Sequence, residues 1–252
     1  FVSCFCFSRK PIDAASESQR RILLSEGSML FGMNHANVLP LIAACVGDGC
    51  QPQLLYPYMN EGNLKRFLQT CKLSPDGQCH ALVTRDLVDM AIQIAEGIMY
   101  LHKRKFIHKD VGTRNCVVDD KLHVKVTDSA LSRDMFPNDY HCLGDNENRP
   151  VKWLAQESLV HKDFSSASDL WMYGVTMWEL LTLGQQPYLE IDAFEMAAYL
   201  RDGYRLTQPI NCPDPLFRVM EMCWRYNPEE RPSFPAQLRL LAEFYTTLGC
   251  FI

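Results

Sequence analysis

Apolar and polar positions alternate in short runs over the N-terminal part of the chain. The letters FVSCFCF at 1–7 predict a strand, and the apolar runs at 37–46 and 53–58 predict two more. Between them, a segment near 18–31 predicts a helix that carries Glu26. This part of the chain therefore predicts a small sheet with one helix.

The rest of the chain has helical periodicity. The segment from 84 to 105 predicts an amphipathic helix with Thr84 as its N-cap. Its apolar stripe consists of Leu87, Met90, Ala91, Ile94, Ile98 and Leu101. The segment from Ser168 to Thr182 is apolar on almost all sides, which predicts a buried helix. Asp134 to Val151, rich in Asp, Asn, Gly and Pro, predicts a long loop.

Composition excludes several classes of protein. The chain has 252 residues, of which 47% are hydrophobic and 22% charged, as expected for a globular domain with its own core. A net charge of −5 makes a nucleic-acid clamp improbable. The 11 cysteines include no C-x-x-C pair, which favours reduced thiols over a metal site. No apolar run reaches the roughly 18–20 residues of a membrane span.

Three polar residues follow short apolar segments in a way that suggests chemistry. Asp110 and Asn115 lie in the string FIHKDVGTRNCVV, and Asp128 directly follows LHVKVT. Adjacent loops can bring the three side chains together. An Asp that orients a hydroxyl, with Asn and Asp oxygens that hold Mg²⁺, is what phosphoryl transfer from a nucleotide needs. A capping or turn role for each residue is the alternative.

The order and spacing of these residues resemble a protein kinase. The motif residues, in chain order, are His108, Asp110, Asn115, Asp128 and Ala155-Gln156-Glu157. The strings QPY, CW and NPEERP extend the match toward the C-terminus, and Arg114 directly before Asn115 is typical of tyrosine kinases. The resemblance implies that Asp110, Arg114 and Asn115 are catalytic-loop residues. It also implies that Asn115 and Asp128 bind Mg²⁺.

Longer strings narrow the resemblance. The runs DYHCLGDNENRPVKWLAQESL, EIDAFEMAAYLRDGYR and QPINCPDPLF are similar to the intracellular domain of the Ryk/Derailed family, atypical receptor tyrosine kinases that bind Wnt proteins. This resemblance implies an α+β, bilobal protein-kinase-like fold. Residues 1–59 would form a partial N-lobe with a truncated sheet and one helix, and residues 60–252 a mainly helical C-lobe.

The resemblance also implies structural roles that do not depend on catalysis. Asp169 would brace the catalytic loop from the buried helix, and Glu157 would pair with Arg231. His108 would belong to the same structural set, packed near the start of the activation segment.

The phosphate side of the implied nucleotide site departs from an active kinase. Counting back from Glu26 places Arg9, or Lys10 with a slip of one residue, at the position of the phosphate-binding lysine. The planar guanidinium is a poor replacement for a compact ammonium there. A solvated strand end is the alternative. The chain before Arg9 is too short for a glycine-rich loop, so we expect no nucleotide lid; a truncated chain, an alternative exon and a gene-model error stay open.

The hinge is the second departure. The resemblance places Tyr56 at the gatekeeper position, where its bulk either narrows the adenine pocket or packs into the core. The carbonyl of Pro57 and the N–H of Met59 would contact adenine.

The activation segment is the third departure. The Asp-Phe-Gly triplet of active kinases is replaced by Asp128-Ser129-Ala130. Loss of the aromatic side chain at Ser129 costs about 3–5 kcal/mol unless the site repacks, and Ala130 lacks the conformational freedom of glycine. Tyr140 is the tyrosine of this segment, either a phosphorylation site or a packed or exposed residue.

These observations lead to the expectation of a receptor pseudokinase that signals by binding partners. A weakly active ATP-dependent tyrosine kinase is the alternative, and a fragment that does not fold by itself is a third possibility. We expect Mg-ATP binding to be weak or absent and no structural metal. The resemblance implies the cytoplasmic domain of a single-pass plasma-membrane receptor. Implied partners are Wnt, through the extracellular region, other receptor or Src-type kinases and Dishevelled-type adaptors, but no nucleic acid.

Overall fold

A computed structural model of the chain describes residues 27, 30–45, 53–73 and 81–248. The predicted strand at 1–7, most of the predicted helix near 18–31 and the two residues Arg9 and Glu26 lie outside this set. The side chain of Ala130 is also outside it.

The two predicted apolar segments of the N-terminal part form a short hairpin. β1 (Ala43–Cys45) pairs with β2 (Gln53–Leu55) in antiparallel register, with Ala44 opposite Leu54. The strands are shorter than predicted. Pro40 has no N–H for a ladder, and the residues before it pair elsewhere: the Leu39 N–H donates to the Val126 carbonyl at 2.9 Å. This contact ties the N-terminal part to the helical part.

The C-terminal part is mainly helical. Its α-helices are α1 (Leu64–Leu73), α2 (Thr84–Lys103), α3 (Ala130–Met135), α4 (Gln156–His161), α5 (Ser166–Leu181), α6 (Met196–Arg201), α7 (Asp214–Cys223) and α8 (Phe234–Leu248). β3 (Gly62–Asn63), β4 (Cys116–Val118) and β5 (Val124–Val126) form one antiparallel sheet in that order. The central strand β4 follows the segment that carries the candidate catalytic residues. No helix among the described residues has both the length and the apolar character to span a membrane.

Helix α2 confirms the amphipathic pattern. All six residues of its predicted stripe are buried. The prediction of Thr84 as N-cap was wrong, because Thr84 is the first helical residue and Val83 occupies the cap. The Asp86 carboxylate accepts a hydrogen bond from the Val83 N–H at 3.0 Å, which is the half of a capping box in which the third helical residue binds the backbone of the cap residue.

Helix α5 confirms the predicted buried helix. It begins two residues earlier than predicted, with Ser165 as N-cap, and every residue from 168 to 180 is buried. The Tyr173 hydroxyl donates to the Ala91 carbonyl of α2 at 2.7 Å, so the two central helices are also joined by a buried hydrogen bond. These helices form the frame on which the site is built.

The predicted loop from Asp134 to Val151 is not irregular throughout. It contains the end of α3, a 3₁₀ turn (Pro137–Asp139) and a hairpin of β6 (His141–Cys142) and β7 (Asn148–Arg149). Its many turn-forming residues concealed these short elements, whose hydrogen bonds depend on neighbouring parts of the fold.

Candidate active site

The segment before β4 and the residues after β5 bring the three candidate polar residues close together. The Asn115 side-chain amide donates to the Asp110 carbonyl at 2.8 Å. The Thr127 N–H donates to the Asn115 carbonyl at 2.9 Å, and the Ser129 N–H donates to the Asn115 Oδ1 at 3.3 Å. Both chain neighbours of Asp128 are therefore bonded to Asn115, which places the two implied metal ligands side by side.

Asp169 of helix α5 stabilises the backbone just before Asp110. Its carboxylate accepts hydrogen bonds from the backbone N–H groups of His108 at 2.8 Å and Lys109 at 2.9 Å, and lies 2.7 Å from His102 Nε2. Lys109 has a φ of 66°, a left-handed conformation that is unusual for a residue with a side chain. The buried carboxylate holds the backbone in this turn just before Asp110.

Both carboxylate oxygens of Asp110 are engaged by other side chains of this chain. The Tyr140 hydroxyl donates to Asp110 Oδ2 at 2.7 Å, and Arg114 Nη2 donates to Oδ1. Arg114 also donates through Nε to the Tyr140 oxygen at 3.1 Å. Tyr140 is 5% exposed, so the tyrosine of this segment is a packed residue in contact with Asp110 and Arg114.

The charges of Asp110, Arg114 and Tyr140 follow from the contacts among the three side chains. Burial alone would raise the pKa of Asp110, but the Arg114 guanidinium and the hydrogen bonds from Arg114 and Tyr140 outweigh it and hold that pKa below its ordinary value. Burial raises the pKa of the Tyr140 hydroxyl, and the Asp110 charge adds to this while Arg114 opposes it. At neutral pH the site therefore contains a carboxylate, a guanidinium and a neutral phenol that donates.

Asn115 and Asp128 fit the oxygen-rich ligand set that Mg²⁺ prefers. Burial raises the pKa of the half-buried Asp128 carboxyl, partly offset by His108 and reinforced by the Asp110 charge. A carboxylate that is costly to ionise in the fold is one that a divalent cation would stabilise. Within the described ranges, no group of three or more His, Cys, Asp or Glu residues is arranged to hold a metal ion.

The Asp128 environment leads to a stability prediction. The raised pKa means that ionised Asp128 disfavours the folded state at pH values above the unfolded pKa of about 3.9, and that this penalty disappears below it. Asp128→Asn is expected to raise the melting temperature at pH 7 by about 2–4 °C and to have no effect near pH 3. Thermal unfolding followed by circular dichroism at both pH values measures this. Exposed Asp120→Asn is the matched control, and destabilisation by Asp128→Asn at pH 7 would contradict the account.

The protein family of this domain follows from its site geometry and from comparison with known proteins. The chain matches the description "Protein tyrosine and serine/threonine kinase" over residues 10–241. This chain belongs to the protein kinase family. The predicted α+β kinase fold is therefore confirmed.

Similar proteins place this kinase domain among the Ryk-like kinases, as the sequence resemblance predicted. It is 58% identical to "Tyrosine-protein kinase RYK" of Homo sapiens over 240 residues, 95% of this chain and 40% of that protein. It is 49% identical to "Tyrosine-protein kinase Dnt" of Drosophila melanogaster (94% of this chain, 40% of that protein). It is 46% identical to Drosophila "Tyrosine-protein kinase Drl" (94% and 38%). The chain thus spans about two fifths of the length of these relatives.

The residues that the resemblance places at the hinge lie near the core of the domain. Tyr56 is half-buried and packs against the core. Met59 is buried, and its carbonyl accepts the Gly62 N–H at 3.0 Å; Pro57 is half-buried. Their proposed roles toward adenine stay predictions, as do those of Arg9 and Glu26.

Glu157 and Arg231 form the ion pair that the kinase resemblance implies. Arg231 Nη1 and Nη2 lie 2.6 and 2.9 Å from the two Glu157 oxygens. His108 is buried, with Nε2 2.9 Å from the Thr127 carbonyl, next to Asp128.

A second buried charge cluster beside the catalytic loop was missed by sequence reasoning. Lys65 Nζ lies 2.8 and 2.6 Å from the two Asp139 oxygens, and both residues are 2% exposed. Glu179, fully buried in α5, accepts from the Thr113 hydroxyl at 2.7 Å and from Trp153 Nε1 at 2.9 Å. The available signal was a charged residue inside an otherwise apolar helix, which requires a buried partner.

Proposed function

We propose that this kinase domain is a pseudokinase that signals by binding partner proteins. The contact between the Tyr140 hydroxyl and Asp110 carries the proposal. In phosphoryl transfer, the catalytic-loop Asp accepts the proton of the substrate hydroxyl. Here its Oδ2 accepts a hydroxyl of the same chain at 2.7 Å, and its Oδ1 is bonded to Arg114.

The start of the activation segment supports the same proposal. Helix α3 begins at Ala130, directly after Ser129, and the Ser132 hydroxyl donates to the Arg114 carbonyl at 2.8 Å. A helix at this point fixes the chain that leads to Tyr140. Ser129 has no aromatic ring with which to move Asp128 by repacking against His108, so the usual switch of the segment is lost.

Retention of the metal ligands supports a second candidate, a weakly active tyrosine kinase. Asn115 and Asp128 are held side by side and would hold Mg²⁺ with a nucleotide, which when bound supplies the phosphoryl group. We propose that such binding is weak, because the resemblance implies Arg9, or Lys10 with a slip of one residue, at the position of the phosphate-binding lysine.

Similarity to the Ryk-like kinases supports a proposal on the location and the partners of the domain. We place the domain on the cytoplasmic side of a single-pass plasma-membrane receptor for Wnt. Its proposed partners are other receptor or Src-type kinases and Dishevelled-type adaptors.

A phosphotransfer assay on the full-length protein tests the proposal. With Mg-ATP and a random glutamate–tyrosine copolymer, we expect labelling by the wild-type protein to equal that of its Asp110→Asn variant. Equal labelling indicates that no phosphoryl transfer depends on Asp110. Labelling that Asp110→Asn removes would instead favour the weak tyrosine kinase.

A further inference from the structure

We propose that the connection between α5 and α6 binds a basic segment of a partner protein that carries large apolar side chains. The surface consists of residues 189–195, which lie between the end of α5 and the start of α6. We call it the 189–195 surface. It contains none of the catalytic-loop residues. The inference rests on the proposed function only in that it names the chemistry of one partner.

Large apolar side chains of the 189–195 surface face solvent. Leu189 is 69% exposed and Phe194 is 70% exposed, and the two residues are only five positions apart in the chain. Ile191 between them is half-buried and packs against the core. Apolar side chains grouped on the surface mark interaction sites more often than single ones do. Burial of this group against an apolar partner would supply the driving force for binding.

Buried residues hold the 189–195 surface in place. Tyr188 directly before it, Ala193 within it and Met196 directly after it are all buried. The Ile191 N–H donates to the Tyr188 carbonyl at 3.0 Å, which closes a turn around Leu189. The outward side chains are therefore presented by a fixed backbone, which lowers the entropy that a partner must pay on binding.

Unpaired carboxylates surround the apolar side chains. Glu190, Asp192 and Glu195 are all exposed. None of the three forms an ion pair with a residue that the structure describes. Asp192 Oδ1 accepts the Phe194 N–H at 2.8 Å, a hydrogen bond that leaves the negative charge in place. The 189–195 surface therefore combines apolar side chains with acidic ones.

The neighbouring cations leave the negative charge of the surface in excess. Lys152 is 7% exposed, and its Nζ donates to the Tyr188 carbonyl at 2.8 Å. Burial lowers the pKa of Lys152, and the charges of Asp192 and Glu190 oppose this. Burial and the Lys152 charge lower the pKa of His141, so that imidazole is neutral at pH 7. With Lys152 counted as charged, three carboxylates and one ammonium give a net charge of −2. This charge complements a basic partner and repels an anionic membrane surface.

Fluorescence anisotropy with labelled octapeptides tests the proposal on the full-length protein. The probe has Leu-Phe at its centre, flanked by Lys and Arg. Two comparison peptides replace the flanks by Asp and Glu, or the centre by Ser-Ser. We expect each comparison peptide to bind at least about tenfold more weakly, a difference of one decade in Kd. Binding of the basic probe should also weaken when ionic strength rises from about 0.1 to 1 M, because the Debye length falls from about 10 to 3 Å.

Variants assign the binding to the 189–195 surface. Phe194→Ser, and Glu190→Gln combined with Glu195→Gln, are each expected to weaken binding of the basic probe by about tenfold or more. The matched controls lie outside the surface: Ile210→Ser removes an apolar side chain that is fully exposed, and Glu243→Gln removes an exposed carboxylate on α8. Both controls should leave Kd unchanged. All substituted side chains are exposed, and melting temperatures check that each variant folds.

Three results would overturn the proposal. The first is equal affinity for the basic and acidic probes, and the second is an unchanged Kd in folded Phe194→Ser or in the folded double glutamine variant. The third is self-association of the protein that Phe194→Ser abolishes, without binding of the basic probe, which would assign the surface to a second copy of the chain. None of these depends on phosphotransfer, so the failure of this inference is separate from the failure of the proposed function.

Discussion

Replacing Arg231 with alanine is expected to destabilise the domain by about 3–5 kcal/mol, because the change leaves an ionised carboxylate without its buried partner. The Arg231 side chain is fully buried and that of Glu157 is 14% exposed. Beyond the ion pair, Arg231 donates to the carbonyls of Ala167 at 3.0 Å and Arg225 at 2.9 Å, and its guanidinium lies 4.9 Å from the Trp171 ring. It therefore joins α4, α5 and the segment before α8.

Urea unfolding of the purified domain measures this loss. Arg231→Lys is expected to recover only part of the stability, since an ammonium cannot bind Glu157 through two parallel hydrogen bonds. Exposed Arg239→Ala serves as the control. A loss below about 1 kcal/mol for Arg231→Ala, the range of a surface ion pair, would contradict a buried structural role.

Replacing Lys65 with methionine is expected to cost a similar amount, about 3–5 kcal/mol, because the buried Asp139 would lose the cation that hydrogen-bonds both of its oxygens and keep only the more distant Arg114 Nη1 at 3.8 Å. The Lys65 ammonium also lies 5.1 Å from the Trp153 ring. Asp139 directly precedes Tyr140, so the pair fixes the segment that places the tyrosine hydroxyl on Asp110. The expected change is therefore both a loss of stability and a release of this segment.

A double variant distinguishes the effect of breaking the Lys65–Asp139 pair from other effects of the substitution at the site. Lys65→Met with Asp139→Leu removes both charges and is expected to recover most of the loss, since apolar replacement of a buried pair is often neutral. Urea unfolding gives the stabilities, and limited proteolysis near Tyr140 reports release of the segment. If the double variant is no more stable than Lys65→Met, the cost does not come from the loss of the Lys65 partner of Asp139.

The two central helices were predictable because their apolar residues recur with helical spacing. The stripe of α2 and the apolar character of α5 can each be recognised within a single stretch of sequence, and both were confirmed. The N-cap at Val83 and the elements between Asp134 and Val151 were not predicted. Their hydrogen bonds depend on which groups the tertiary fold brings together.

The candidate site was predictable to the same extent. Asp110 and Asn115 lie just before β4 and Asp128 lies just after β5, so the pairing of these two apolar segments brings the three residues together. The contact of Tyr140 with Asp110 joins residues 30 apart in the chain. It depends on the path of the activation segment, which α3 and the Lys65–Asp139 pair determine. No local pattern contains that information.

Phosphotransfer by the Tyr140→Phe variant tests the central claim most directly. The change removes the hydroxyl that donates to Asp110 and accepts from Arg114, so it frees Asp110 Oδ2, while Oδ1 keeps its bond to Arg114 and the neighbours Asn115 and Asp128 are unchanged. If the scaffold has lost phosphoryl transfer, labelling of the tyrosine copolymer with Mg-ATP stays at the level of Asp110→Asn. Labelling that rises in Tyr140→Phe and disappears in Tyr140→Phe combined with Asp110→Asn would identify a kinase that is blocked but competent, and would contradict the account.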